Sequence, residues 1–159
     1  EQAMMILARK AGIFGMIGGQ TADILAENSQ SEVSIEQLLY IHENKTAALI
    51  QSALTIGAVL AGASDEDIQK LETVGYNVGV AFQIQDDVLD VIGTKEELGK
   101  PIGSDEKNNK TTYVTLMGLE QSEAEVTKLS EEAIELLASF EKRNEFLETL
   151  IRELITRRK

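Results

Sequence analysis

Three aspartates near the middle of the chain have a spacing that suits cation binding. They lie in the segment Phe82 to Asp90, which reads FQIQDDVLD. On a helix, Asp86 and Asp90 share one face, Gln83 lies one turn earlier on the same stripe, and Asp87 stands to one side. Carboxylates this close repel one another, and the C-terminal end of a helix favours cations. The segment therefore predicts a bound cation.

The polar segment that follows the aspartates contains a concentration of lysines. Residues 93–110 read GTKEELGKPIGSDEKNNK and include the only proline of the chain, together with Lys100 and Lys110. A segment of this length between helices usually marks a functional loop, although a solvated lysine-rich loop is the simpler interpretation. Carboxylates that hold a divalent cation, followed by ammonium groups, would suit a diphosphate.

Further polar residues interrupt the first two predicted helices. Lys45 and Thr46 precede the apolar run AALIQSALTIGAVLAG, where a lysine either extends its ammonium to solvent or holds an anion. Gln20 and Asp23 are three residues apart and point the same way on a helix. We assign no role to the single histidine, His42.

Composition limits the classes of partner. The formal net charge is −12, which disfavours nucleic acids and anionic membranes but not a small anion bound through a divalent cation. The absence of cysteine excludes a thiolate zinc site and a thiol nucleophile and is compatible with a cytoplasmic location. No apolar run is long enough to span a membrane, and no signal peptide is evident at the start.

The apolar periodicity and the single proline predict an all-α fold. Ser34 with Gln37, and Ser122 with Glu125, are predicted to form capping boxes, while Ser64 and Asn144 are predicted caps. Four glycines within the first helix, and Gly75 and Gly79 in the third, predict close helix approach. The predicted helices cover approximately residues 2–27, 35–61, 65–92, 111–118, 123–140 and 145–157.

These motifs resemble those of one enzyme family. FQIQDDVLD followed by GTKEELGKPIGSDEKNNKTTY resembles the second aspartate-rich motif and the next loop of the trans-isoprenyl (polyprenyl) diphosphate synthases. GMIGGQTADIL and HENKTAALI are similar to other blocks of that family, in the same order. The resemblance covers essentially the whole chain and is strongest to bacterial farnesyl or other short-chain synthases. It implies the all-helical isoprenoid synthase fold around a central cavity.

The resemblance also implies roles for particular residues. Family members use Mg²⁺ to assist ionisation of an allylic diphosphate, and the resulting carbocation alkylates isopentenyl diphosphate. Carried over by position, the metal ligands are Asp86, Asp87 and Asp90, with Asp86 as the most direct. The remaining implied residues are Lys45 and Thr46 on the allylic diphosphate, Gln83 near the reacting centre, Lys100 and Lys110 on the diphosphate, and Gln20 and Asp23 on the cavity wall.

The first aspartate-rich motif and the basic isopentenyl diphosphate block of the family are absent from the sequence. We therefore expect residues 1–159 to be the C-terminal part of a single synthase domain, inactive alone, with an exposed apolar surface that favours a homo-oligomer such as a dimer. Three other interpretations stay open: a class I terpene cyclase of the same fold, a non-catalytic subunit of a heteromeric prenyl synthase, and an acidic helical interaction module. Product length is not readable from the sequence.

Overall fold

A computed structural model describes residues 1–29, 32–92 and 110–156, and every regular element in these ranges is helical. The prediction of an all-α fold is confirmed. None of the described helices is both long enough and apolar enough to cross a membrane. The helices are α1 (Gln2–Ala11), α2 (Met16–Glu27), α3 (Ile35–Ile41), a π-helical segment (His42–Ala47), α4 (Ala48–Leu60), α5 (Asp65–Ile92), α6 (Tyr113–Met117), α7 (Leu119–Ala138) and α8 (Glu145–Thr156).

Helix α5 is the centre of the fold, and its bounds match the predicted third helix. Its 28 residues carry apolar side chains on several faces, so the helix is surrounded by neighbours rather than lying on the surface. Val74, Val78 and Ile84 are at most 1% exposed. Helices α4 and α7 make the most extensive contacts with α5, and they fix the helix that carries the three aspartates.

Two glycines hold the π-helical segment between α2 and α5. A Cβ atom added at Gly79 of α5 would lie 2.4 Å from the Cα and Cβ of Ala47. A Cβ atom added at Gly19 of α2 would lie 2.2 Å from the backbone nitrogen of Lys45. Glycine therefore permits backbone contact on both sides of the segment that carries Lys45 and Thr46. This confirms the predicted close approach at Gly79.

Three predicted caps are confirmed. Ser34 and Gln37 form the full capping box at the start of α3. The Ser64 hydroxyl accepts a hydrogen bond from the Asp67 amide at 3.1 Å, and the Asn144 side chain accepts one from the Leu147 amide at 3.0 Å. These contacts satisfy amides that a helix leaves unpaired in its first turn.

Two predictions about helix boundaries were wrong. Residues 2–27 form two helices rather than one, because the chain turns between Gly12 and Gly15, where a Cβ added at Gly15 would lie 2.0 Å from the Lys10 carbonyl oxygen. Ser122 does not open a helix: it lies inside α7, and its hydroxyl donates to the Gly118 carbonyl at 2.7 Å. Gly118 has φ of +84°, a conformation that glycine adopts readily, and this break lets α7 begin at Leu119.

Candidate functional site

Two lysines from distant parts of the sequence converge on one buried carboxylate. Asp23, on the third turn of α2, is 5% exposed. The Lys45 ammonium donates to Asp23 Oδ2, and the Lys110 Nζ lies 3.7 Å from Asp23 Oδ1 and 3.3 Å from Glu27 Oε1. A buried carboxylate is costly unless it is paired, so these contacts account for the burial of Asp23. Asp23, which was predicted to line the cavity, therefore pairs with both Lys45 and Lys110, which were predicted to bind the diphosphate.

The π-helical segment positions the two residues at its C-terminal end. Such segments are rare, and they are found frequently at functional sites. Lys45 faces Asp23, while the Thr46 hydroxyl donates to Gln83 Oε1 at 2.5 Å. Thr46 therefore connects the segment to α5 one turn before the first aspartate. Four predicted residues from three separate motifs are brought together in this way.

The three aspartates of α5 differ in their surroundings. Asp87 is buried, and its Oδ2 accepts a hydrogen bond from the Tyr113 amide at 2.8 Å, which ties α5 to the start of α6. Asp90 is 2% exposed, whereas Asp86 is half-buried. Across the described ranges, no group of three or more His, Cys, Asp and Glu side chains could hold a metal ion. Metal binding by these aspartates stays a prediction.

A small cavity of about 30 Å³ lies where these elements meet. Five of the predicted residues line it, and polar side chains outnumber apolar ones among its lining residues. Lys100 lies outside the described residues, and Gln20, Thr46, Asp86 and Asp90 are not among the described residues that line the cavity. The lining residues are Asp23, Leu38, Ile41, His42, Lys45, Gln83, Asp87, Lys110 and Thr111.

His42 is a member of this site that was not predicted from the sequence. His42 is the first residue of the π-helical segment, it lines the cavity, and it is 5% exposed. Burial, with a further contribution from the Lys110 charge, lowers the pKa of His42 to about 4, so the imidazole is neutral near pH 7. The signal in the sequence is its position three residues before Lys45, within one helical turn.

The arrangement suits the binding of a small, highly charged anion. An ammonium group has three N–H donors, so a lysine held by one carboxylate oxygen can also bind an anion oxygen. Lys45 is held at the cavity by Asp23 with its side chain one-third exposed, so its charge is both fixed and accessible. Hydrogen bonds from ammonium groups to phosphate oxygens are charge-assisted and about twice as strong as neutral ones.

The chain is similar to proteins of one enzyme family. The sequence profile described as Polyprenyl synthetase matches residues 2–154. The chain is 46% identical over 151 residues to the dimethylallyltranstransferase of Fischerella ambigua, a match that covers 95% of this chain and 43% of the relative. It is 43% identical over 141 residues to the farnesyl diphosphate synthase of Bacillus subtilis, covering 89% of this chain and 47% of the relative.

Solved structures share the fold. A crystal structure of geranyltransferase from Helicobacter pylori, complexed with magnesium and isoprenyl diphosphate, superposes with a TM-score of 0.77 at 34% identity and covers 97% of this chain. That match covers 50% of the solved chain, so residues 1–159 span about half the length of the relatives that they match. The fold is the terpenoid synthase helical fold. By its sequence profile, its relatives and its fold, the chain belongs to the polyprenyl synthetase family.

Proposed function

We propose that the native polypeptide containing residues 1–159 is a trans-prenyl diphosphate synthase, which joins an allylic diphosphate to isopentenyl diphosphate. The observation that carries this proposal is the convergence of Lys45 and Lys110 on Asp23, next to the Thr46–Gln83 pair and α5. The names of the relatives, dimethylallyltranstransferase and farnesyl diphosphate synthase, support the same reaction class.

In this reaction the allylic C–O bond breaks, and the diphosphate leaves with the electron pair. The resulting carbocation forms a C–C bond with the double bond of isopentenyl diphosphate, and loss of a proton gives a product one isoprene unit longer. Lys45 and Lys110 hold the diphosphate and stabilise the negative charge that it gains as it leaves. Thr46 and Gln83, linked at 2.5 Å, orient the allylic end of the substrate.

The carboxylates of α5 fit Mg²⁺, which we propose as the cofactor. Magnesium takes oxygen ligands and usually binds through one or two carboxylates together with substrate phosphates, so a three-carboxylate group is not required. Asp86, Asp87 and Asp90 would hold the ion together with the diphosphate, and Asp87 also accepts a hydrogen bond from the Tyr113 amide. When bound, Mg²⁺ neutralises and orients the leaving diphosphate.

The test measures incorporation of radiolabelled isopentenyl diphosphate by the native polypeptide in the presence of Mg²⁺. We expect Asp86→Asn and Lys45→Ala each to lower kcat by about 100-fold or more. Lys45 supplies positive charge to the leaving diphosphate, and Asp86 would hold the Mg²⁺ that neutralises it. Asp67→Asn and Lys70→Ala, both in the first turns of α5 and away from the cavity, are matched controls that should retain activity. Full activity of both site variants would refute the proposal.

The same assay separates the other interpretations. A terpene cyclase would consume the allylic diphosphate without isopentenyl diphosphate. A non-catalytic subunit or an interaction module would show no turnover of either substrate by itself. Because the chain spans less than half of the curated relatives, we also predict that residues 1–159 alone do not condense the substrates.

We further propose that the native protein is a cytoplasmic homo-oligomer. The first 25 residues carry a series of exposed apolar side chains, among them Met4 and Phe14 at 76% and Leu25 at 66%. Exposed apolar surface of this extent is typical of an interface, either with the remainder of the native polypeptide or with a second copy of it. Light scattering on the native polypeptide should give a mass above that of one chain, and a strictly monomeric mass at high concentration would contradict this proposal.

A further inference from the structure

His42 carries a buried polar atom whose partner is not supplied by the described protein. Its side chain is 5% exposed, and its Nδ1 has no hydrogen-bond partner among the described residues. Buried polar atoms are paired in nearly all folded proteins, with protein groups or with ordered water. An unpaired imidazole nitrogen in this position therefore indicates a ligand or a water molecule beside it.

The cavity that His42 lines has the size and the chemistry for one water molecule. Its volume is about 30 Å³, and a water requires about 10–15 Å³ of such space together with two to four polar partners. Asp23, Lys45, Lys110 and Thr111 supply polar groups to the same cavity. A water in this space can bond to the imidazole and to the carboxylate–ammonium cluster at the same time.

We propose that His42 is a positioning residue for the diphosphate site: through a water molecule in this cavity, its Nδ1 fixes the Asp23, Lys45 and Lys110 cluster. The inference rests on the proposed function, because it deepens the role of the same lysines. The neutral state of His42 agrees with it, since a third cation beside two ammonium groups would compete with them for Asp23. His42 itself does not contact the substrate.

The test compares two substitutions of nearly equal shape in the native polypeptide. Asparagine places a polar atom one bond from Cγ, as histidine does with Nδ1, whereas leucine places a methyl group there. We expect His42→Leu to raise the KM for the allylic diphosphate about tenfold with kcat changed less than about threefold, as for one lost water-mediated link. His42→Asn should keep KM within about twofold of the wild-type value.

Two further variants keep the result decisive. If His42→Leu does not fold, His42→Gln replaces it, because glutamine moves the amide one carbon away from the Nδ1 position and should raise KM in the same direction. An unchanged KM in the leucine or glutamine variant, or an asparagine variant as impaired as leucine, would overturn the inference. Lys45→Ala distinguishes a failure of the proposed function from a failure of the role of His42. If Lys45→Ala abolishes turnover while the His42 variants keep the wild-type KM, only the role of His42 is refuted.

Discussion

The contact between Gly79 and Ala47 should control both stability and activity. In Gly79→Ala the added methyl would lie 2.4 Å from two carbon atoms of Ala47, whereas carbon atoms in contact are about 3.5–4.0 Å apart. The π-helical segment must therefore move away from α5 by roughly 1 Å or more. Overpacking of this kind costs about 1–3 kcal/mol in free energy of unfolding. Because Thr46 precedes Ala47, the shift should also lengthen the Thr46–Gln83 hydrogen bond.

A second glycine, Gly57, serves as a control for the general stabilisation that a glycine-to-alanine substitution gives. Gly57 lies inside α4, and a Cβ added there meets nothing within 4 Å. Gly57→Ala should raise the free energy of unfolding by about 0.4–1 kcal/mol, because alanine restricts the unfolded chain. Urea denaturation followed by circular dichroism measures both variants, and the condensation assay measures kcat/KM. Equal stability and activity of the two variants would refute the packing of the π-helical segment described above.

Two further predictions follow from titration and capping. Below about pH 6.5 the unfolded histidine takes up a proton, whereas folded His42 resists protonation until about pH 4. Because the unfolded state binds more protons in this window, the free energy of unfolding decreases as the pH is lowered. Relative to His42→Asn, the wild-type free energy of unfolding should fall by about 3 kcal/mol between about pH 7 and pH 4, and an identical pH dependence in urea titrations would contradict the burial of His42. Asn144→Ala should cost about 1 kcal/mol through loss of its bond to the Leu147 amide, whereas Ser122→Ala should change stability by much less, because that hydroxyl lies inside a helix and caps nothing. Equal losses in the two variants would show that Asn144 is not a functioning cap.

Local patterns determined most of the helices. The central helix was predicted with its correct bounds, because its apolar periodicity is continuous and its start carries the Ser64 cap. The boundary errors arose where several glycines lie close together and where two capping signals compete. At Gly118 a positive φ ends one helix and starts the next, and this conformation depends on how α6 and α7 pack.

The chemistry that we propose for the candidate site also came from the sequence alone. The spacing of Asp86, Asp87 and Asp90, the lysine-rich segment and the Lys45–Thr46 pair are local features, and together they predicted a cation and a diphosphate. What the sequence left open was the distance between these motifs. Asp23 and Lys110 are far apart in the chain, so no helical periodicity relates them.

Tertiary structure decided how these groups meet. Packing of the π-helical segment against Gly19 and Gly79 places Lys45 beside Asp23 and buries His42 at the cavity. Packing of α6 against α5 places the Tyr113 amide at Asp87, a role that the position of Asp87 in the aspartate motif does not reveal. Periodicity encodes which face of a helix is apolar, but burial and long-range pairing depend on which other helix covers that face.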